Sequence, residues 1–261
     1  MFLKTVNLWE TVPGLCKETP TLDIYVPRHK TSDIAVVILP GGGYSSRAEH
    51  EGKGYAEFLN EQGITAFVCQ YRVNPHLFPL PLLDARRAVQ YVRYNRDTYG
   101  ICKDKVYIMG SSAGGHLAAL TCTYRGALSL DNTDAIDRED ALPSGQILCY
   151  PVIALLGKGI SHLSSGRMLL GEQQAELGEE LSPHLIADAQ TPRAFLWHTF
   201  DDEAVPVANT LLYAQRLRQV GVSAEVHIYP HGPHGLGLAT GIPPVENWTK
   251  ELLGWLTLEK D

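Results

Sequence analysis

The chain is 261 residues long, 44 % hydrophobic and 20 % charged, with a formal net charge of −7. An acidic balance with no Lys/Arg block argues against a protein that follows a phosphate backbone, so no nucleic-acid partner is expected. No apolar run approaches the roughly 18 residues of a membrane helix, and the start, MFLKTVNLWE, lacks the pattern of a secretory signal, so neither a membrane nor export is expected.

Thr21 to Val26, TLDIYV, alternates polar and apolar residues and predicts a half-exposed strand. Ala35 to Leu39, AVVIL, is continuously apolar and predicts a strand buried on both faces. It runs into Pro40-Gly41-Gly42-Gly43-Tyr44, where successive glycines let backbone N–H groups approach a ligand; two such groups can bind an oxyanion, and a plain flexible loop is the alternative. Glu49 to Gln62 predicts a helix closed by Gly63, and Ile64 to Tyr71 the next strand. A proline-rich loop leads to a helix over Leu82 to Asn95, whose apolar residues recur at helical spacing as core contacts.

Val106 to Leu120, VYIMGSSAGGHLAAL, reads as strand, abrupt turn and helix. Gly110-Ser111-Ser112-Ala113-Gly114 fits a Gly-x-Ser-x-Gly nucleophile elbow centred on Ser112, which leaves the serine oxygen exposed before a helix N-terminus that favours negative charge. Ser111 does not fit, because Met109 would then occupy the first glycine position.

The acidic stretch Asp131 to Asp140 reads as a solvated connection, and Gln146 to Tyr150 as a buried strand. Residues 153–190 predict short helices broken by glycine and proline; a partial cap over the site and a surface excursion are both open. Arg193 to Thr199 predicts a strand with an acidic loop containing Asp201 and Asp202, and Val207 to Val220 a helix. Ser223 to Tyr229 predicts the last strand, followed by Pro230-His231-Gly232-Pro233-His234-Gly235 and a closing helix over Val245 to Leu258. The recurrence implies an α/β fold in one domain over 1–261, with a mostly parallel sheet of about eight strands covered on both faces. Its ligand site belongs at the carboxyl ends of the strands, where all these loops emerge.

Serine keeps its proton at neutral pH, so a nucleophilic Ser112 needs a base, and the base needs an orienting acid. Chain order offers serine, aspartate, histidine. Asp201 and Asp202 compete for the acid, with Asp202 preferred. His231 and His234 share the final loop, while His198 lies in a strand and His116 in the first turn of the elbow helix. His231 and His234 lack a patterned third ligand for a metal, and no phosphate-loop or dinucleotide pattern occurs, so no metal or organic cofactor is expected. The cysteines, Cys16, Cys69, Cys102, Cys122 and Cys149, are scattered, odd in number and without a Cys-x-x-Cys pair, which suits a reducing cytoplasm.

PGGGY, Tyr71-Arg72, GSSAGGHLA, YPVI, SPH, WHTFDDEAVPV and HGPHGLGL together resemble the serine esterases of the α/β-hydrolase superfamily. The resemblance is nearest to bacterial acetyl-xylan and feruloyl esterase-like hydrolases, kin to hormone-sensitive-lipase-like carboxylesterases, and runs from about Leu22 to the last helix. It implies a triad of Ser112, Asp202 and His234, with oxyanion donors from the amides of Gly42, Gly43 and Ala113. Many relatives have histidine before the three glycines; here it is Pro40, so the hydrogen bonds of that histidine must come from elsewhere. Tyr44, beside the glycines, has two open readings, substrate contact and packing. A short-acyl ester, with acetyl on a sugar as the instance, is the implied substrate, and a homo-oligomer is compatible with the pattern. A peptidase of the same fold and a non-catalytic small-molecule binder are the alternatives.

Overall fold

The continuously apolar runs AVVIL and VYIM lie side by side in the middle of an eight-stranded sheet, where both faces of a strand are covered. The computed structural model describes residues 1–14, 18–128 and 134–258; Cys16 and the first positions of the acidic stretch, 131–133, lie outside them. The strands are β1 (Phe2–Asn7), β2 (Thr21–Tyr25), β3 (Ala35–Leu39), β4 (Thr65–Gln70), β5 (Val106–Ser111), β6 (Gln146–Cys149), β7 (Ala194–Thr199) and β8 (Ala224–Tyr229). The helices are α1 (Glu49–Glu61), α2 (Leu80–Tyr94), α3 (Arg96–Tyr99), α4 (Ser112–Thr123), α5 (Leu163–Leu170), α6 (Gln174–Leu177), α7 (Pro183–Ile186), α8 (Ala208–Gln219) and α9 (Trp248–Thr257).

The sheet order is β1-β2-β4-β3-β5-β6-β7-β8, with β2 antiparallel to both of its neighbours and β3 to β8 mutually parallel. This is the expected mostly parallel sheet of about eight strands. Alternation along β3 divides the core in two. Val37 and Leu39 join a cluster with Val89 of α2 and Leu117 of α4, whereas Val36 and Ile38 join one with Tyr55 and Leu59 of α1 and Trp248 and Leu252 of α9.

From β3 the chain crosses to β4 on one side, then returns to β5 on the other. Their carboxyl ends therefore flank the switch point at which open α/β sheets bind ligands. The pairings Leu39 with Gly110, Ser111 with Cys149 and Thr199 with Tyr229 bring the following loops to one edge.

Two features depart from the sequence reading. β1 was not foreseen: it is exposed along nearly its whole length and attaches to β2 through backbone pairing, so it carries no burial pattern. The acidic stretch is more than a solvated connection, because Asp134 and Asp137 bind Arg87 of α2 at 2.5 and 2.8 Å, and that guanidinium is buried. Hydrogen bonding to Arg87 lowers the Asp134 carboxyl to about 2.

Candidate active site

Ser112 stands where β5 turns into α4, with φ of +52°, a left-handed conformation that a non-glycine residue holds only under constraint. Close packing supplies the constraint. A Cβ on Gly110 would lie 2.1 Å from the Gly114 carbonyl oxygen, and one on Gly114 would lie 2.1 Å from that of Leu39. Glycine at both positions lets β3, β5 and α4 converge beneath the serine.

His234, in the loop after β8, places Nε2 2.8 Å from Ser112 Oγ and Nδ1 2.6 Å from Asp202 Oδ2. A carboxylate accepting from Nδ1–H leaves Nε2 as the basic nitrogen facing the hydroxyl. Asp202 is itself fixed: its Oδ1 accepts from the Ala204 and Val205 amides at 2.9 Å each. Burial opposes ionisation of Asp202, but hydrogen bonds from His198, His234 and the Val205 amide outweigh it and hold the carboxyl well below the usual carboxylate range.

The competing pair is not idle. Asp201 meets His231 Nδ1 at 3.0 Å and accepts from the Gly232 amide at 2.9 Å, on the exposed side of the same two loops. Acid and histidine loops thus carry two parallel Asp–His pairs, and only the inner pair reaches Ser112.

After β3, Gly42 and Gly43 adopt φ of +128° and +64°. Among the described residues neither of their amides donates a hydrogen bond. Ala113, in the first turn of α4, has one of the amides that a helix leaves without an internal partner. Three side chains support this loop. Glu51 accepts from the Gly41 amide at 2.8 Å, Tyr71 donates to the Pro40 carbonyl at 2.6 Å, and Tyr44 binds His116 Nδ1 at 2.7 Å.

That last contact corrects one expectation. The Tyr44 side chain is fully buried, so packing rather than substrate contact describes it. Its partner His116 is lowered to about 4 by burial and is neutral, accepting from the Tyr44 hydroxyl and donating Nε2–H to the Leu181 carbonyl at 2.8 Å. The glycine loop after β3, the elbow helix and the 153–190 segment are joined through this one imidazole.

Sequence reasoning missed Glu51, Tyr150 and the contact of His198 with Asp202, where Nε2 lies 3.2 Å from Oδ2. His198 was visible only as a histidine in an apolar strand, and Glu51 only as one acidic residue in a helix's first turn. The 153–190 segment brings half-buried His162 near the site: burial lowers its pKa, the charge of His234 adds to this and that of Asp202 opposes it. Among the described residues no cluster of three or more metal-ligating side chains occurs, and no helix is long and apolar enough to cross a membrane.

A family model described as BD-FAE matches residues 22–217. An acetylxylan esterase of Xylanibacter ruminicola is 32 % identical over 228 residues, covering 85 % of this chain and 45 % of that protein. The crystal structure of an acetyl ester-xyloside bifunctional hydrolase from Caldicellulosiruptor lactoaceticus superposes with a TM-score of 0.90 at 41 % identity, covering 97 % of this chain and 94 % of that one. MGS-M1, an α/β-hydrolase enzyme from a Medee basin deep-sea metagenome library, superposes with a TM-score of 0.74 at 27 % identity, covering 97 % and 95 %. The fold is that of the α/β-hydrolases. The chain spans only part of the length of the curated relatives it matches, 35 % of one, 45 % of that esterase and 54 % of an esterase of Mycobacterium tuberculosis.

Proposed function

The chain belongs to the BD-FAE family, and from that premise we propose that it is a serine carboxylesterase acting on short-acyl esters, acetyl groups on carbohydrate among them. The observation that carries this reading is the unbroken line of hydrogen bonds from Asp202 through His234 to Ser112, at 2.6 and 2.8 Å. Ser112 Oγ attacks the ester carbonyl carbon while its proton passes to His234 Nε2; Asp202 holds the ring and stabilises the imidazolium. The amides of Gly42, Gly43 and Ala113 receive the developing oxyanion. In enzymes, each such donor is worth about 3–4 kcal/mol of transition-state stabilisation. Collapse of the tetrahedral species expels the alcohol with the proton from Nε2. Water, deprotonated by the same nitrogen, then releases the carboxylic acid and regenerates Ser112.

The acetyl-sugar preference draws on the relatives, one named an acetylxylan esterase and one an acetyl ester-xyloside hydrolase. The rest of the reading is a single domain over 1–261, supported by the continuous sheet, and a reducing compartment, supported by the free thiols Cys69, Cys102, Cys122 and Cys149. The test compares wild type with Ser112→Ala on p-nitrophenyl acetate, butyrate and octanoate and on acetylated xylo-oligosaccharides. Turnover abolished by the substitution, with acetyl esters preferred, is the expected result. Equal rates from the two proteins, and no labelling of Ser112 by a serine-reactive phosphonate, would leave the non-catalytic binder as the better reading.

A further inference from the structure

Glu51 takes no part in the chemistry just described, yet it is 3 % exposed and sits directly behind the site. A buried carboxylate is costly unless strong donors meet both of its oxygens. Here they come from opposite sides. Oε2 accepts from the Gly41 amide at 2.8 Å, in the oxyanion loop, and Oε1 accepts from the Tyr150 hydroxyl at 2.6 Å. Burial keeps the Tyr150 phenol protonated, so it donates to Glu51 and uses its lone pairs elsewhere. One of these receives the Gly237 amide at 2.9 Å, three residues beyond His234, and the Tyr55 hydroxyl lies at 3.2 Å. The Tyr150 ring also packs edge-on against the His234 imidazole, with ring centroids 5.1 Å apart.

The oxyanion loop and the histidine loop follow β3 and β8, four positions apart in the sheet, so no strand ladder registers one against the other. A second link runs beside the first. His50, next to Glu51, hydrogen-bonds the Gly235 carbonyl at 2.9 Å. At the elbow, Tyr55 meets Ser111 Oγ at 2.9 Å.

We infer that Glu51 and Tyr150 are positioning residues, a buried carboxylate–phenol pair that sets the oxyanion loop and the histidine loop at a fixed separation across Ser112. The inference rests on the serine-esterase reading and deepens it. Loop height is tightly specified: a Cβ on Gly41 would lie 2.5 Å from Glu51 Oε2. A glutamine at position 51 offers one acceptor and one donor group where two acceptors are required, so one of the two loops loses its anchor. The consequence falls on the transition state, since the ester carbonyl binds in the ground state with little charge on its oxygen.

The experiment measures kcat and KM for p-nitrophenyl acetate, and the inhibition constant of a trifluoromethyl ketone that forms an oxyanion adduct with serine. It uses wild type, Glu51→Gln, Tyr150→Phe, the double variant and Ser112→Ala, each checked by circular dichroism. The expected result is a fall in kcat of about 10- to 100-fold in each single variant, with KM within about threefold of wild type. The ketone's affinity falls by the same factor, and the double variant is no worse than the poorer single one, because both substitutions break one connection. Tyr150→Phe reads the same connection from its other end if Glu51→Gln does not fold. Single variants with wild-type kcat, a change confined to KM, or losses that multiply in the double variant would overturn the inference. An inactive Ser112→Ala beside a fully active Glu51→Gln would overturn only the positioning role, whereas an active Ser112→Ala would remove the esterase reading itself.

Discussion

Asp201 and Asp202 are adjacent in sequence, yet the backbone aims them at different histidines, and this assigns their expected effects. Asp202 is buried and bonded to His234, so Asp202→Asn should lower kcat by roughly 10³–10⁴-fold by presenting the wrong imidazole tautomer to Ser112. Asp201→Asn and His231→Ala touch only the exposed pair and should leave kcat/KM within about threefold of wild type. Parallel measurements on the three variants decide it, and an Asp201→Asn enzyme as impaired as Asp202→Asn would reverse the assignment. His116 supplies a prediction in pH. Burial lowers its pKa from 6.5 to about 4, so between these values the unfolded chain binds a proton that the folded chain does not. Stability therefore falls as pH drops through this window, by ~3 kcal/mol for the full shift at 1.36 kcal/mol per unit. Urea denaturation at pH 7, 5.5 and 4.5 should show a smaller acid loss in His116→Gln than in wild type. At this scale the sequence revealed the residues whose type and neighbours announce chemistry, such as Ser112 between its glycines. It concealed Glu51 and Tyr150, which act through partners that lie 10 to 99 positions away along the chain.

The elbow works because three elements meet with no room for a methyl group. Gly110→Ala and Gly114→Ala each put a Cβ about 2 Å from a backbone carbonyl oxygen, which no rotamer change relieves. Each should abolish detectable esterase activity and lower the melting temperature. A Gly114→Ala protein with wild-type melting and turnover would mean that β3 and α4 can separate without cost. The same convergence explains which elements were legible. β3, β5 and β7 are buried along their whole length and so announce themselves as unbroken apolar runs. β1 left no such mark, since at the sheet edge only its backbone is engaged. α4 begins at Ser112, earlier than the apolar run from Leu117 suggests, because a buried first turn rich in glycine carries no helical period. The 153–190 segment was legible as short helices but not in its attachment, which uses His116 and the Asn209 side chain, bonded to the Ile153 and Ala154 amides.

Across the whole molecule, buried polar groups just past the carboxyl end of β4 lock the N-terminal segment onto the α/β core. Arg72, in the Tyr-Arg pair that helped mark the esterase resemblance, forms a two-pronged bond with Asp84 of α2 at 2.8 Å on each arm and also reaches the Pro13 carbonyl. Trp9 donates to the same carboxylate at 3.0 Å, and Arg87, one turn further along α2, holds the Leu8 carbonyl and lies over the Trp9 ring. Both Arg72 and Asp84 are completely buried, so this motif is structural and its loss should act on stability before catalysis. Removing one member of such a pair leaves the other's charge in the core and costs about 3–5 kcal/mol, whereas an apolar pair of similar volume costs far less. Asp84→Ala should therefore shift the urea midpoint strongly and increase hydrogen exchange in the Leu8–Pro13 segment, while kcat of the folded protein stays near wild type. The joint substitution Arg72→Met with Asp84→Leu should recover part of that stability. If it is instead less stable than Asp84→Ala alone, hydrogen bonds to Trp9 and Pro13 outweigh the burial of charge, and the pair stabilises the fold in its own right.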